Sequence, residues 1–229
     1  MSQSQHQNQL YVVAGTDTEV GKTTAACALL VALRRSGLSV VGIKPVESGT
    51  ATQERRADED GRRLAAAAQQ SEPIEALQRL AAPLAPPVAA RDEGITLEPQ
   101  SWIERIRERS RSADITFIEG AGGLLSPLAE GFDSRDLATA LDAPVLLVAS
   151  DSLGTLNHTF LTVEALELAG CQLAAIIFSA PKTPDASTGR NASVIARRFD
   201  NIPVVTLPRI ANDDEGATVF EDESLLGLH

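Results

Sequence analysis

Residues 10–26, LYVVAGTDTEVGKTTAA, restrict the fold more than any other part of the chain. An apolar run ends in Gly15, a small-residue turn follows, and Gly21-Lys22-Thr23 opens a stretch whose Ala and Leu residues recur at helical spacing as far as Arg35. A buried strand, a tight loop and a helix in direct succession aim backbone N–H groups and the positive end of a helix dipole at one point. Phosphate oxygens are stabilised there. The spacing departs from the common G-x-x-x-x-G-K-[ST] loop, because Gly15 lies one residue too early and Thr16 stands where glycine is expected. Lys22 is placed to bridge β- and γ-phosphates, and the Thr23 hydroxyl to ligate Mg²⁺. An ordinary helix start capped by Thr18 is the competing reading, which the position directly after a buried strand disfavours.

The same alternation continues along the chain. SVVGIKP, DITFIEGAGG, APVLLVAS, CQLAAIIFSA and IPVVTLP read as further buried strands, and LNHTFLTVEALELAG and ASVIARRFD as helices. Continuous apolar strands separated by helices predict an α/β fold: one domain, residues 10–229, with a mostly parallel sheet flanked by helices on both faces. Residues 1–9 read as a disordered polar tail. Residues 50–94, charged and then rich in Ala and Pro, read as a flap or helical excursion near the active site. The acidic C-terminal stretch from Asn212 reads as a solvated tail, Glu215 excepted.

Twenty Lys and Arg against thirty-one Asp and Glu leave a net charge of −11, which argues against nucleic acid or an anionic membrane as partner. ATP remains compatible, since phosphate recognition is local and assisted by a divalent ion. The N-terminus lacks the apolar core of a signal peptide and no run reaches transmembrane length, so the expected setting is cytoplasmic. Cys27 and Cys171 sit among apolar residues and read as reduced structural thiols. The histidines have no metal-ligand spacing, and no nucleophile has a convincing triad partner.

Three further stretches carry chemistry. In GIKPVESGT, Lys44 ends the second strand at the sheet edge where ligands gather, followed by Ser48 with its hydroxyl and by the flexible Gly49. In FIEGAGGLLSPL, Glu119 ends an apolar strand, where a carboxylate is costly unless paired or metal-bound, and Gly120, Gly122 and Gly123 allow close approach of a ligand. Glu119 takes the place of the usual magnesium-side aspartate. Asp60 reads either as a second metal-side carboxylate or as part of a solvated acidic turn. In SDSLGTLNHTF, Gly154 precedes a helix start able to receive a carboxylate.

Taken together, GTDTEVGKT, KPVESG, EGAGGLLSPL and LGTLNH resemble, in order and separation, the ATP-dependent dethiobiotin synthetase family, over residues 10–215. That family's phosphate loop has the longer spacing seen between Gly15 and Gly21. The resemblance implies a P-loop NTPase-like fold and a ligase of biotin biosynthesis. Its substrates are 7,8-diaminopelargonic acid, CO₂ or bicarbonate, and ATP, with Mg²⁺ as cofactor. One amine becomes a carbamate, ATP phosphorylates it, and the second amine closes a cyclic urea. Glu19, Val20, Gly21, Lys22, Thr23 and Thr24 would bind nucleotide phosphates, and Thr23, Asp60 and Glu119 the metal. Lys44 would be catalytic, with Lys22 assisting. Gly120, Ala121, Gly122, Ser179, Pro208, Arg209, Ile210 and Glu215 would complete the nucleotide site. Thr18 and Ser48 would meet the diamine and carbamate, and Gly154, Thr155, Leu156 and Asn157 the far carboxylate across a homodimer interface.

One position departs from the family pattern. Many members carry Asn-Asp after the strand that follows the substrate helix, and this chain has Ser179-Ala180. A serine hydroxyl cannot reproduce the planar donor and acceptor of an amide, so a relaxed nucleotide preference is expected. Two alternatives are weaker. A related amidating synthetase would need a glutaminase cysteine with a partner, and a partition- or septum-type dimeric ATPase switch would want a lysine early in the phosphate loop.

Overall fold

The computed structural model describes residues 8–51 and 56–221. In chain order the first half contains β1 (Gln9–Gly15), α1 (Lys22–Arg35), β2 (Val40–Ile43), β3 (Val46–Glu47), a 3₁₀ turn (Arg56–Asp58), α2 (Asp60–Ala68), β4 (Gln78–Arg79), α3 (Pro86–Glu93) and α4 (Pro99–Ser110). The second half contains β5 (Ile115–Glu119), β6 (Pro127–Ala129), β7 (Phe132–Asp133), α5 (Ser134–Leu141), β8 (Val145–Ser150), α6 (Thr155–Leu168), β9 (Leu173–Ser179), α7 (Asn191–Arg198), β10 (Val204–Leu207) and α8 (Asp213–Glu221).

The central sheet has six strands in the order β10-β9-β8-β1-β5-β2, every pairing parallel. The expected α/β class and mostly parallel sheet are therefore present. Strand β1 sits between β5 and β8, with Val12 opposite both Ile118 and Val145. The chain leaves β1 toward β2 on one side and leaves β8 toward β9 on the other, so the crevice above β1 is a topological switch point. Alternation along β1 divides the core. Tyr11 and Val13 pack with α1, α2 and α8, whereas Val12 and Ala14 pack with α3, α4 and α5. A third cluster joins α6 and α7 to β8 and β9 through Leu147, Val163, Phe178 and Ile195.

Two expectations change at the termini. Of the N-terminal tail, residues 1–7 lie outside the described residues, while Gln9 already pairs with Ile115. The acidic C-terminal stretch is not a solvated tail as far as Glu221. Its small and apolar residues recur at helical spacing, so Gly216, Ala217 and Phe220 bury one face of α8 in the core beside α1. Outside that face Arg35 bonds Glu221 at 2.9 Å and also reaches Asp214. Residues 222–229 lie outside the described residues. Truncating Phe220 to alanine should cost about 3 kcal/mol, the usual scale for a buried aromatic, read as a lower urea midpoint at unchanged slope.

Candidate active site

Every strand of the central sheet delivers its C-terminal end to the same edge, and that edge collects the chemistry. After β1 the chain turns tightly through residues 16–21, with Glu19 at φ 54° and Gly21 at φ 95°. Gly21 is the helix N-cap and leaves no room for a side chain, because a Cβ there would overlap the Ser179 hydroxyl. The capping role considered for Thr18 is not realised, since the helix N-cap is Gly21 and carries no side-chain cap. Lys22 folds back over the loop and donates to the Asp17 carbonyl at 2.9 Å. Burial, with the neighbouring Lys44 charge, pulls the Lys22 ammonium down to about 8, while Glu119, Asp60 and Asp17 oppose the shift.

Beside the loop lies a buried ionic cluster. Lys44, 3% exposed, donates to Glu119 Oε1 at 2.6 Å, Asp60 Oδ2 at 2.9 Å and the Gly120 carbonyl at 3.0 Å. Burial alone would weaken its charge, but the two carboxylates outweigh burial and hold Lys44 well above the ordinary lysine range. Thr23 Oγ1 lies 2.8 Å from both Asp60 Oδ1 and Glu119 Oε1, and its single proton serves one of them. Glu119 is fully buried and its Oε2 has no hydrogen-bond partner. Burial pushes its carboxyl up, while Lys44 and Thr23 beside Asp60 hold that one below the usual range against its own burial. Of the two readings of Asp60, the solvated turn is excluded by these contacts.

The oxygen set of Thr23, Asp60 and Glu119, with an unpartnered carboxylate oxygen, fits a hard divalent ion. Among the described residues no cluster of three or more His, Cys, Asp or Glu could hold a metal unaided.

Among the cavities formed by the described residues, two adjoin Glu19, Gly21 and Thr24 of the phosphate loop on this edge. The larger, about 760 Å³, is lined by Thr18, Glu19, Gly21, Lys22, Thr23, Thr24, Lys44, Ser48, Asp60, Glu119, Ala121 and Gly122 among others. The smaller, about 270 Å³, is lined by Glu19, Val20, Gly21, Thr24, Ser179, Pro208, Arg209 and Ile210 among others. Gly120 contributes its carbonyl to Lys44 rather than a cavity wall. Glu215 lines neither cavity: its carboxylate accepts the Ala211 N–H at 2.6 Å and shapes the 208–212 loop from behind. Residues 154–157 also line neither. Asp151, buried just before them, accepts from Asn191 at 2.6 Å and from the Gly189 N–H at 2.7 Å, which ties this end of β8 to α7.

Residues lining the site that the sequence does not single out include Arg63, Lys182 and Glu47. Arg63 and Lys182 line both cavities and place positive charge where they meet. Arg63 follows Asp60 by one helical turn on α2, a spacing that could have exposed it. Glu47 lines the larger cavity and is buried, with its carboxylate accepting the Asp60 and Gly61 N–H groups at 2.6 and 3.0 Å.

Comparison with known proteins finds relatives over most of the chain. The AAA domain family matches residues 9–212. An ATP-dependent dethiobiotin synthetase from Anaeromyxobacter dehalogenans is 45% identical over 199 residues, covering 86% of this chain and 88% of the relative. One from Caulobacter vibrioides is 41% identical over 212 residues, covering 90% and 95%. The cell division ATPase MinD of Pyrococcus furiosus superposes with a TM-score of 0.56 at 17% identity, over 93% of this chain and 88% of that one, a likeness of fold alone.

Proposed function

The chain belongs to the ATP-dependent dethiobiotin synthetase family, and we propose that it closes the dethiobiotin ring from 7,8-diaminopelargonic acid, CO₂ and ATP. It is an ATP-dependent ligase that forms C–N bonds in biotin synthesis. The observation that carries this reading is the ammonium of Lys44, buried beside the phosphate loop and facing a cavity large enough for a substrate next to the nucleotide.

The loop amides and Lys22 bind the polyphosphate, with Lys22 on the β/γ side. Lys44, held as a cation, orients the carbamate and stabilises the charge on the transferred phosphoryl group. Thr18 and Ser48 stand on the cavity wall to meet the diamine and carbamate. Thr23, Asp60 and Glu119 would hold Mg²⁺, which neutralises phosphate charge during transfer. The base lies in the smaller cavity, where Ser179 replaces an amide and nucleotide preference is relaxed. The segment 50–94 frames the larger cavity through Pro83, Leu84, Ala85 and Pro86, which supports its reading as an active-site excursion.

A homodimer completes the site in this reading, residues 154–157 receiving the substrate carboxylate of the second copy. The exposed Leu153, beside these residues, and the exposed Leu125 and Leu161 support such a face. Among the described residues no helix is long and apolar enough to cross a membrane. Both cysteines are free, which supports a reducing, cytoplasmic setting.

The test is formation of dethiobiotin from the diamine and bicarbonate, with ATP, CTP and GTP at equal concentration. Product is expected with all three nucleotides. A folded enzyme that makes none overturns the function, and a strong ATP preference overturns only the relaxed base reading.

Acidity supplies a second test. Lys22 carries its charge below about 8 and loses it as pH rises through that value. The quotient kcat/KM for ATP, which reports the free enzyme, should therefore fall about tenfold per pH unit above that point. Turnover at saturating ATP should change little, because bound phosphate holds the proton on Lys22. Lys22→Arg, which cannot deprotonate, should flatten the fall; an equal fall in that variant assigns the titration elsewhere.

A further inference from the structure

Asp60 reaches the ionic cluster from the first residue of α2, outside the central sheet, so something must hold that helix start in place. Strands β3 and β4 form a separate two-stranded parallel sheet in which Glu47 and Arg79 are direct partners. Each grips the start of α2 from its own strand. Glu47 accepts the N–H groups of Asp60 and Gly61. Arg79 donates to both oxygens of the fully buried Glu59, at 2.9 and 2.6 Å. Three consecutive residues, 59–61, are thereby fixed from one register position. A third grip is steric: a Cβ on Gly61 would run into the backbone at Glu75 and Ala76. Arg62 and Arg56 meet Glu75 on the outer side, at 2.5 and 2.9 Å.

We infer that Glu47 and Arg79 are positioning residues that present the Asp60 carboxylate to Thr23 and Lys44. Both carboxylate oxygens of Glu47 are engaged by the Asp60 and Gly61 backbone, and Arg79 acts through the Glu59 side chain next to it. The inference deepens the proposed function, because it rests on Asp60 as a carboxylate of the nucleotide site. Supporting groups of this kind set metal affinity by fixing the orientation of a ligand, and their loss costs roughly 10–100-fold. The short strands β3 and β4 thus have a task beyond covering the cavity. They hold the excursion rigid where it contributes to the site.

The test uses Mn²⁺ as a paramagnetic probe, titrated by EPR into the full chain with ADP, and amide hydrogen exchange at positions 60 and 61. Glu47→Ala should weaken Mn²⁺ roughly tenfold and speed exchange of both amides. Glu47→Gln, which keeps one accepting oxygen in the same place, should recover part of the affinity. Arg79→Gln should weaken Mn²⁺ in the same direction. A folded Glu47→Ala with wild-type Mn²⁺ affinity or wild-type amide protection overturns the inference. So does a Glu47→Gln that fails to fold, since that assigns Glu47 to stability instead of presentation, and so does a wild type that binds no Mn²⁺. None of these readouts requires turnover. A wild type that binds Mn²⁺ and ADP yet makes no dethiobiotin overturns the function and leaves the clamp standing.

Discussion

Lys44→Met should cut turnover on the order of 10²–10³-fold while leaving ADP affinity within a few-fold of wild type. The apolar stem is kept as far as Cε, and the ammonium is lost. The position of that ammonium is fixed by three bonds, to Asp60, Glu119 and the Gly120 carbonyl. Its neighbours hold it charged, so it is present as a cation throughout the working pH range. Groups fixed in advance of the reaction stabilise developing charge without reorganisation at the moment of transfer. Lys44→Arg should not rescue, because a longer planar fork cannot reproduce three divergent donors from one nitrogen to Asp60, Glu119 and the Gly120 carbonyl. Single-turnover rates with preformed carbamate, set beside ADP titrations, separate the two effects. Loss of ADP affinity equal to the loss of rate would move Lys44 from catalysis to nucleotide binding.

The site's framework was readable because strand ends carry it. Lys44, Glu119 and Ser179 each terminate or follow an apolar run, and a parallel sheet brings all such ends to one edge. Sequence could not say that Asp60 joins them, because its partners Thr23 and Lys44 are distant in the chain and the acidic run around it mimics a solvated turn. Glu47 was hidden for a related reason: its carboxylate serves backbone N–H groups, which leave no side-chain pattern. Helix α4 gives a weak apolar signal, because Arg and Glu dominate it and its buried face has only Trp102, Ile103 and Ile106 as large apolar residues, beside Ser110. Helix α8 was misread as solvated because its buried residues are a glycine, an alanine and one phenylalanine within an acidic stretch. The cross-chain role proposed for residues 154–157 has no counterpart in the geometry of one chain, where they line neither cavity of the site.

The ionic cluster also makes a prediction about stability that runs opposite to its catalytic value. Lys44→Met leaves the Glu119 carboxylate buried with Thr23 as its remaining hydrogen-bond partner and takes the ion pair from Asp60 as well, and breaking a buried pair costs about 3–5 kcal/mol. Glu119→Gln removes the opposite charge, and Lys44 keeps Asp60 as a partner, so its cost should be smaller. The double variant Lys44→Met/Glu119→Gln removes both charges at once. It should recover at least half of the stability lost by Lys44→Met while remaining as inactive, because a buried pair contributes little net stability over uncharged groups of similar shape. The pH dependence gives a check on the cause. Burial raises the folded Glu119 carboxyl above its unfolded value, so its folded form binds the extra proton, and stability falls as pH rises through that window. With Lys44 gone the shift grows, and the deficit of Lys44→Met should shrink as pH is lowered from 7.5 toward 5. Urea unfolding at the two pH values, for both single variants and the double, measures the coupling directly. A double variant no more stable than Lys44→Met would show that the cost lies in Asp60, which also loses its Lys44 partner, and not in the stranded charge of Glu119.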